Sequence, residues 1–274
     1  MKKKLNSFWK RVVKTIKRPE MQILPGQLAF FFVLSIIPLI ALVGGIASLF
    51  SISVDTVKDL LRSSFPKDVA NLLIPIISGK GLNFNMVIFF FSAFFLASNG
   101  TNSMIVSSNE LYQIKSTDPI RRRVKAIFMT FILVSLLVFV LLVPAFGDMI
   151  VRALSQFFKD GKLYDVVYQT YQIAKYPISL FLIYFNIKLL YTLAPDKRIP
   201  SYTTTYGALF TTVAWIILTE VYSIYVEVFV KYDIFYGSIS NILILLLWVY
   251  LLAYVFVFGM ALNVSHIEEV EREG

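Results

Sequence analysis

The sequence predicts an all-α integral membrane protein with six transmembrane helices, both termini cytoplasmic, and amphipathic helices in the first two outer loops. Three observations carry this. Of the 274 residues, 57% are hydrophobic and only 16% charged, and the mean hydropathy is +0.72; soluble domains have about 45–50% apolar and about 25% charged residues. The apolar residues gather into runs near 25–50, 84–107, 124–149, 172–193, 204–229 and 239–264, each able to cover the roughly 20 residues a bilayer crossing needs. Lysine and arginine are unequally divided between alternate connections, as expected where positive loops stay in the cytoplasm.

The elements follow in chain order. In residues 1–18, Leu5, Phe8, Trp9, Val12, Val13 and Ile16 recur at helical spacing among eight lysines and arginines. This is a basic amphipathic helix suited to an anionic membrane surface. The apolar run from Leu24 to Phe50 is too long for the roughly 7–15 residues of a signal-peptide core, so it reads as a retained first span. Residues 19–265 form the transmembrane domain. Between Val54 and Ile77, apolar and charged positions alternate about Pro66 as two short interfacial helices. The second outer loop, Ile150 to Tyr171, pairs an apolar side with a turn signal at Lys159–Lys162. Residues 266–274 read as an acidic, frayed cytoplasmic tail.

With the N-terminus inside, 16 basic residues fall on the cytoplasmic side and 9 outside. The contrast is concentrated in the N-terminal arm and in Arg121–Lys125. The net charge of +9 is thereby explained by insertion topology, and no nucleic-acid partner is expected.

Polar residues inside the spans are the candidate functional groups, because hydrogen-bonding side chains are costly against lipid. In span two, Asn85, Ser92, Asn99, Ser103 and Glu110 fall within an arc of roughly 40° at about 100° per residue. They predict a lined pathway or cavity, the alternative being hydrogen-bonding glue between helices. In span five, Thr212, Ser223, Glu220 and Glu227 share a second polar face. Glu220, the deeper acid, is a candidate for ion coupling or for holding a polar head group, and otherwise a structural hydrogen-bond partner.

Enzyme signatures are missing from the sequence: no Walker loop, no GxGxxG after a strand, no HExxH and no GxSxG context. His266 is the one histidine and there are no cysteines. The chain therefore reads as a non-enzyme with no metal site and no cofactor.

Several motifs occur in a telling order. They are LAFFFVLSIIPL with Ser35 and Pro38, Asn109 and Tyr112 ahead of Arg121–Arg123, and LYTLAPDKRIP with Pro195. GALFTTVAW follows with Gly207 and Trp215, then YGSISNILILLLWVYLLAYVFVFGMALN with Tyr236, Gly237, Trp248, Gly259 and Asn263. From about Pro25 to Asn263 the chain resembles the YihY/BrkB family of bacterial inner-membrane proteins, once labelled ribonuclease BN. The family's closing Gly-Ala-Glu-Leu-Asn is Gly259-Met260-Ala261-Leu262-Asn263 here, so no role of that glutamate transfers to Ala261. The resemblance implies six spans, a bacterial inner-membrane location and suggestions of lipid or envelope-precursor transport. The leading expectation is a transporter or flippase-like protein whose partners are membrane lipids and a lipid or lipid-linked substrate. The alternatives are a small-solute or ion transporter and a scaffolding protein of the envelope. Oligomeric state is not readable from the sequence.

Overall fold

The computed structural model describes residues 19–49, 84–115, 118–136, 161–229 and 240–273, with single residues at 13, 17, 55, 58, 59, 62, 70, 71 and 74. Among them every regular element is an α-helix: α1 (Glu20–Leu49), α2 (Phe84–Leu111), α3 (119–136), α4 (Gly161–Leu193), α5 (Thr205–Phe229) and α6 (Ser240–Glu273). Two stretches among the described residues, Thr205–Val226 and Ile242–Ser265, are long and apolar enough to cross a bilayer, and Pro177–Leu193 is a shorter apolar helix. The basic arm, most of the first outer loop and residues 137–160 lie outside the described residues. Within the first loop, Lys58 and Arg62 pair with Asp55 and Asp59 one helical turn earlier, at 2.9 and 3.2 Å.

Two helices run beyond the apolar spans. Residues 161–171, read as loop from the Asp160-Gly161 signal, are the opening turns of α4, which runs 33 residues through Pro177. A turn dipeptide serves equally as a helix start, and the amphipathic sequence after it propagates the helix. The tail beyond His266 is not frayed: α6 continues to Glu273 over 34 residues.

α6 organises the packing. It lies against α1 and α5 and touches α2, while α1 packs along α2 and α4 along α5. From Ile242 to Leu262 α6 is apolar on every face, the pattern of a helix enclosed by others or by lipid. From Phe256 to Ser265 every residue is buried. Large apolar side chains lie on the exterior as well as in the core, and small polar ones are buried among the core residues. Phe91, Phe131, Ile173 and Val221 are exposed, whereas the interior holds Ser98, Thr101, Ser103, Ser107, Thr130, Thr211 and Asn263. An apolar exterior, with small polar side chains set within an apolar core, suits lipid as solvent, where helices associate through packing and hydrogen bonds.

α2 ends in a defined cap. The N–H of Ile114 donates to the carbonyl of Asn109 (2.8 Å) and that of Gln113 to Glu110 (3.1 Å). This is the paired bonding of a Schellman motif. It requires Gln113 to be left-handed, with φ of 53°, a conformation that costs a residue with a Cβ about 1–2 kcal/mol. Gln113→Gly is therefore expected to raise stability by about 1 kcal/mol, read as a higher thermal unfolding midpoint in detergent.

Candidate functional site

The sequence of the α2–α3 connection sets up the first cluster. Asp118 accepts the N–H of Ile120 (3.2 Å) and Pro119 follows it, the N-cap and first-turn pairing that starts a helix. Seven residues past that cap, Lys125 reaches the end of α4. Its Nζ donates to the carbonyls of Ala194 and Pro195 (2.8 Å each) and to Asp196 Oδ1 at 2.6 Å. The cation thus neutralises a carboxylate and caps a helix C-terminus at once. Asn109, near the end of α2, completes the junction. Its Nδ2 donates to Asp196 Oδ2 (2.7 Å) and its Oδ1 accepts the N–H of Asp196 (2.9 Å). Three helix ends are locked through one carboxylate whose side chain is 7% exposed.

A second cluster joins α4, α5 and α6. Gly207 and Gly259 let two backbones touch: a Cβ on Gly207 would overlap the Gly259 carbonyl and lie 2.5 Å from the Asn263 amide atoms. The N–H of Gly207 donates to Asn263 Oδ1 (2.7 Å). Tyr191 of α4 donates to the Phe256 carbonyl (2.7 Å) and shares a hydrogen bond with Thr211 (2.7 Å). Trp215 and Tyr222 donate to the carbonyls of Leu252 (2.9 Å) and Ile244 (2.7 Å). Three α6 carbonyls are therefore read by aromatic donors, which fixes its register.

A third cluster ties α1 to α2. The N–H of Gly100 donates to Ser35 Oγ (2.9 Å), and that hydroxyl faces the Leu96 carbonyl at 3.5 Å. These are the two groups an uninterrupted helix pairs with each other. On the other side of α2, Thr101 donates to the Ala126 carbonyl (2.8 Å) and meets Thr130 at 2.7 Å.

The expected pathway residues are not brought together as one line. Ser103 is buried and Asn99 half-buried, but Ser92 and Glu110 are exposed. Asn99 Oδ1 accepts from Arg123 (2.8 Å). In α5, Thr212 is buried with its hydroxyl on the Ala208 carbonyl (2.8 Å), Ser223 is half-buried, and Glu220 faces outward. These side chains thus differ in burial from one level to the next. Helical-wheel arithmetic gives relative azimuths within one helix, not which neighbours cover them at each level. The side chains of Asn85, Glu227 and Pro38, and the whole of Tyr236 and Gly237, lie outside the described residues.

The motif residues fare differently. Ser35, Asn109, Pro195, Gly207, Trp215, Gly259 and Asn263 all take part in the junctions above, and Trp248 is buried in the core. Tyr112 is half-buried at the α2 end, and burial pushes its phenol up to about 12. The protonated phenol is the form the fold favours. Its contribution is complete below the ordinary value of about 10 and is lost as pH rises through the raised one. Lys125, Asp196, Tyr191, Thr211 and Arg123 were missed as site residues. Asp196 and Lys125 had one available signal: an acid and a base in short segments flanking spans on the same side.

Some buried polar atoms have no hydrogen-bond partner among the described residues. They include the hydroxyls of Ser103, Ser107, Ser108 and Tyr112 and the Nδ2 of Asn263. No group of three or more His, Asp or Glu side chains placed to hold a metal ion occurs among the described residues.

An apolar exterior, a hydrogen-bonded polar interior and helices of bilayer-crossing length define a helical membrane protein. The chain belongs to the virulence factor BrkB family, whose model matches residues 12–274. It is 30% identical to the putative ribonuclease-like protein YfkH of Bacillus subtilis, over 94% of both chains. It is 34% identical to a UPF0761 membrane protein of Pseudomonas paraeruginosa over 27% of this chain and 18% of that one. A UPF0761 membrane protein of Alteromonas mediterranea is 32% identical over 31% of this chain and 29% of its own. No solved structure matches the chain.

Proposed function

We propose that the protein moves or exchanges an amphipathic substrate, a lipid or lipid-linked envelope precursor, across the bacterial inner membrane. In this reading six helices span the bilayer, both termini are cytoplasmic and the protein is not an enzyme. One observation carries it: Ser103, Ser107 and Ser108 in the C-terminal half of α2 keep their hydroxyls buried and without partners among the described residues. A buried unpaired hydroxyl costs about 1–3 kcal/mol. Alanine would give the same close packing without that cost, so the hydroxyls fit a passing polar group better than a permanent contact.

Liposomes containing the purified protein and fluorescent lipids test this. Ser103→Ala/Ser107→Ala is expected to keep the fold and slow lipid exchange several-fold; exchange at the wild-type rate removes the site. Exchange that also survives Asn99→Leu removes α2 altogether.

The scaffolding alternative draws support from Asn99 and Thr101, whose polar groups are taken up by α3. The ion-transport alternative loses support from the outward position of Glu220. "Ribonuclease-like" is a word in the name of the Bacillus relative, and the dispersed carboxylates of this chain do not supply that chemistry.

A further inference from the structure

Lys125 and Arg123 are two residues apart on α3, yet only one has a counter-charge. Lys125 is paired with Asp196. Arg123 has no carboxylate partner among the described residues. Its Nη1 donates to Asn99 Oδ1 (2.8 Å), its Nη2 to the Phe95 carbonyl (2.9 Å), and its carbon lies 3.9 Å from the centre of the Phe95 ring.

The direction of this side chain is unusual. Thr101 and Ala126 mark where α2 and α3 cross. Arg123 stands before that point on α3, but its guanidinium meets Asn99 and Phe95, beyond the crossing on α2. A helical side chain leans toward its own N-terminus, and an arginine at a helix start normally reaches back to the interface. This one runs the other way, toward the middle of the span. Asn99 is 12 residues from the end of α2 at Leu111, about 18 Å along the helix.

The surroundings are apolar and open. Phe91 and Phe95 on α2 and Ile120, Val124 and Phe128 on α3 are all exposed, and Arg123 itself is half-exposed. Two of its five N–H donors are used by Asn99 and Phe95. A cation held at membrane depth without a counter-ion is costly and marks a functional position. The guanidinium fork matches the geometry of a phosphate.

We propose that Arg123, braced by Asn99 on the Phe95 ring, is an intramembrane seat for a phosphate group. Resting on the transport reading above, it makes the substrate's head group an anionic phosphate. Asn99 is then a positioning residue that aims the fork, and the remaining Nη N–H donors take the phosphate oxygens, the Nε being buried.

The test is lipid association, which requires no transport. The full-length protein is placed in phosphatidylcholine vesicles containing a minority of phosphatidylglycerol, and spin-labelled versions of each lipid report motional restriction. Phosphatidylglycerol is expected to be favoured about five-fold for this arginine. Above the background that the basic arm sets, this share of the preference should be lost in Arg123→Gln, fall partly in Arg123→Lys and Asn99→Leu, and persist in Arg121→Gln, which alters an exposed neighbour on the same helix. Unfolding midpoints report whether each variant is folded, and Asn99→Leu decides the matter if Arg123→Gln is not. Displacement of the labelled lipid by millimolar inorganic phosphate assigns the seat to a soluble phosphate; no displacement assigns it to the lipid. Equal preference in wild type and Arg123→Gln, or an equal loss in Arg121→Gln, overturns the proposal. Arginine-dependent selectivity for the anionic phospholipid without lipid exchange would remove the transport reading and leave this one, whereas exchange indifferent to head-group charge would do the reverse.

Discussion

Gly207→Ala is expected to be the most damaging single-methyl change in the protein. The added carbon would overlap the Gly259 carbonyl and press on both atoms of the Asn263 amide. Backbone cannot swing aside as a side chain can, so α5 and α6 must separate where they are closest. Overpacking costs about 1–3 kcal/mol and occasionally more, and the loss of the Gly207–Asn263 hydrogen bond adds about 1 kcal/mol. We expect a loss of about 3 kcal/mol, seen as collapse of the folded fraction in a detergent denaturation series. Gly259→Ala should cost less, because its added carbon meets the side-chain oxygens of Thr211 and Tyr191 before the Gly207 carbonyl. If Gly207→Ala unfolds at the wild-type midpoint, the close crossing of α5 and α6 is wrong.

The second large effect lies at the junction of helix ends. Asp196→Ala leaves Lys125 with two carbonyls and no counter-charge, and strips Asn109 of the carboxylate that accepts its amide. Breaking a buried pair from one side typically costs about 3–5 kcal/mol. Lys125 is 25% exposed, so solvent offsets part of that, and about 2–3 kcal/mol is expected. Removing both charges as Lys125→Met/Asp196→Asn should recover much of it, since no unpaired charge remains and the amide keeps its link to Asn109. A double variant as unstable as Asp196→Ala would show that the carboxylate acts through something other than this pair.

These expectations mark what could be read from the sequence. Apolar content marks where helices lie: the runs near 204–229 and 84–107 overlap α5 and α2. The motif residues proved to be a connected set: Ser35, Asn109, Gly207, Trp215, Gly259 and Asn263 each bridge two elements. What the sequence could not show was pairing at a distance. Asn109 and Asp196 are 87 positions apart, and nothing local to either announces the other. Lys125 was counted as a topology signal, and its charge serves there equally well while also capping α4. Arg123 was hidden by the same reasoning, because a basic cluster at a helix start is ordinary until one member is found pointing the wrong way. Ser92 and Glu220 show the limit of an azimuth: both share one with buried residues, yet both are exposed.

The position of α6 has a bearing on how the protein is made. It is the helix against which α1 and α5 pack, and its carbonyls and Asn263 receive the donors of Tyr191, Trp215, Tyr222 and Gly207. Yet it leaves the ribosome after all of them. On the proposed six-span reading, the earlier helices wait in lipid with those donors unmatched until α6 enters the membrane. Assembly is then a wait followed by a single closing event, and the half-made chain is the form that chaperones and membrane proteases meet. Changes in α6 such as Asn263→Leu should accordingly shorten the lifetime of newly made protein in the cell more than they lower the stability of molecules already assembled.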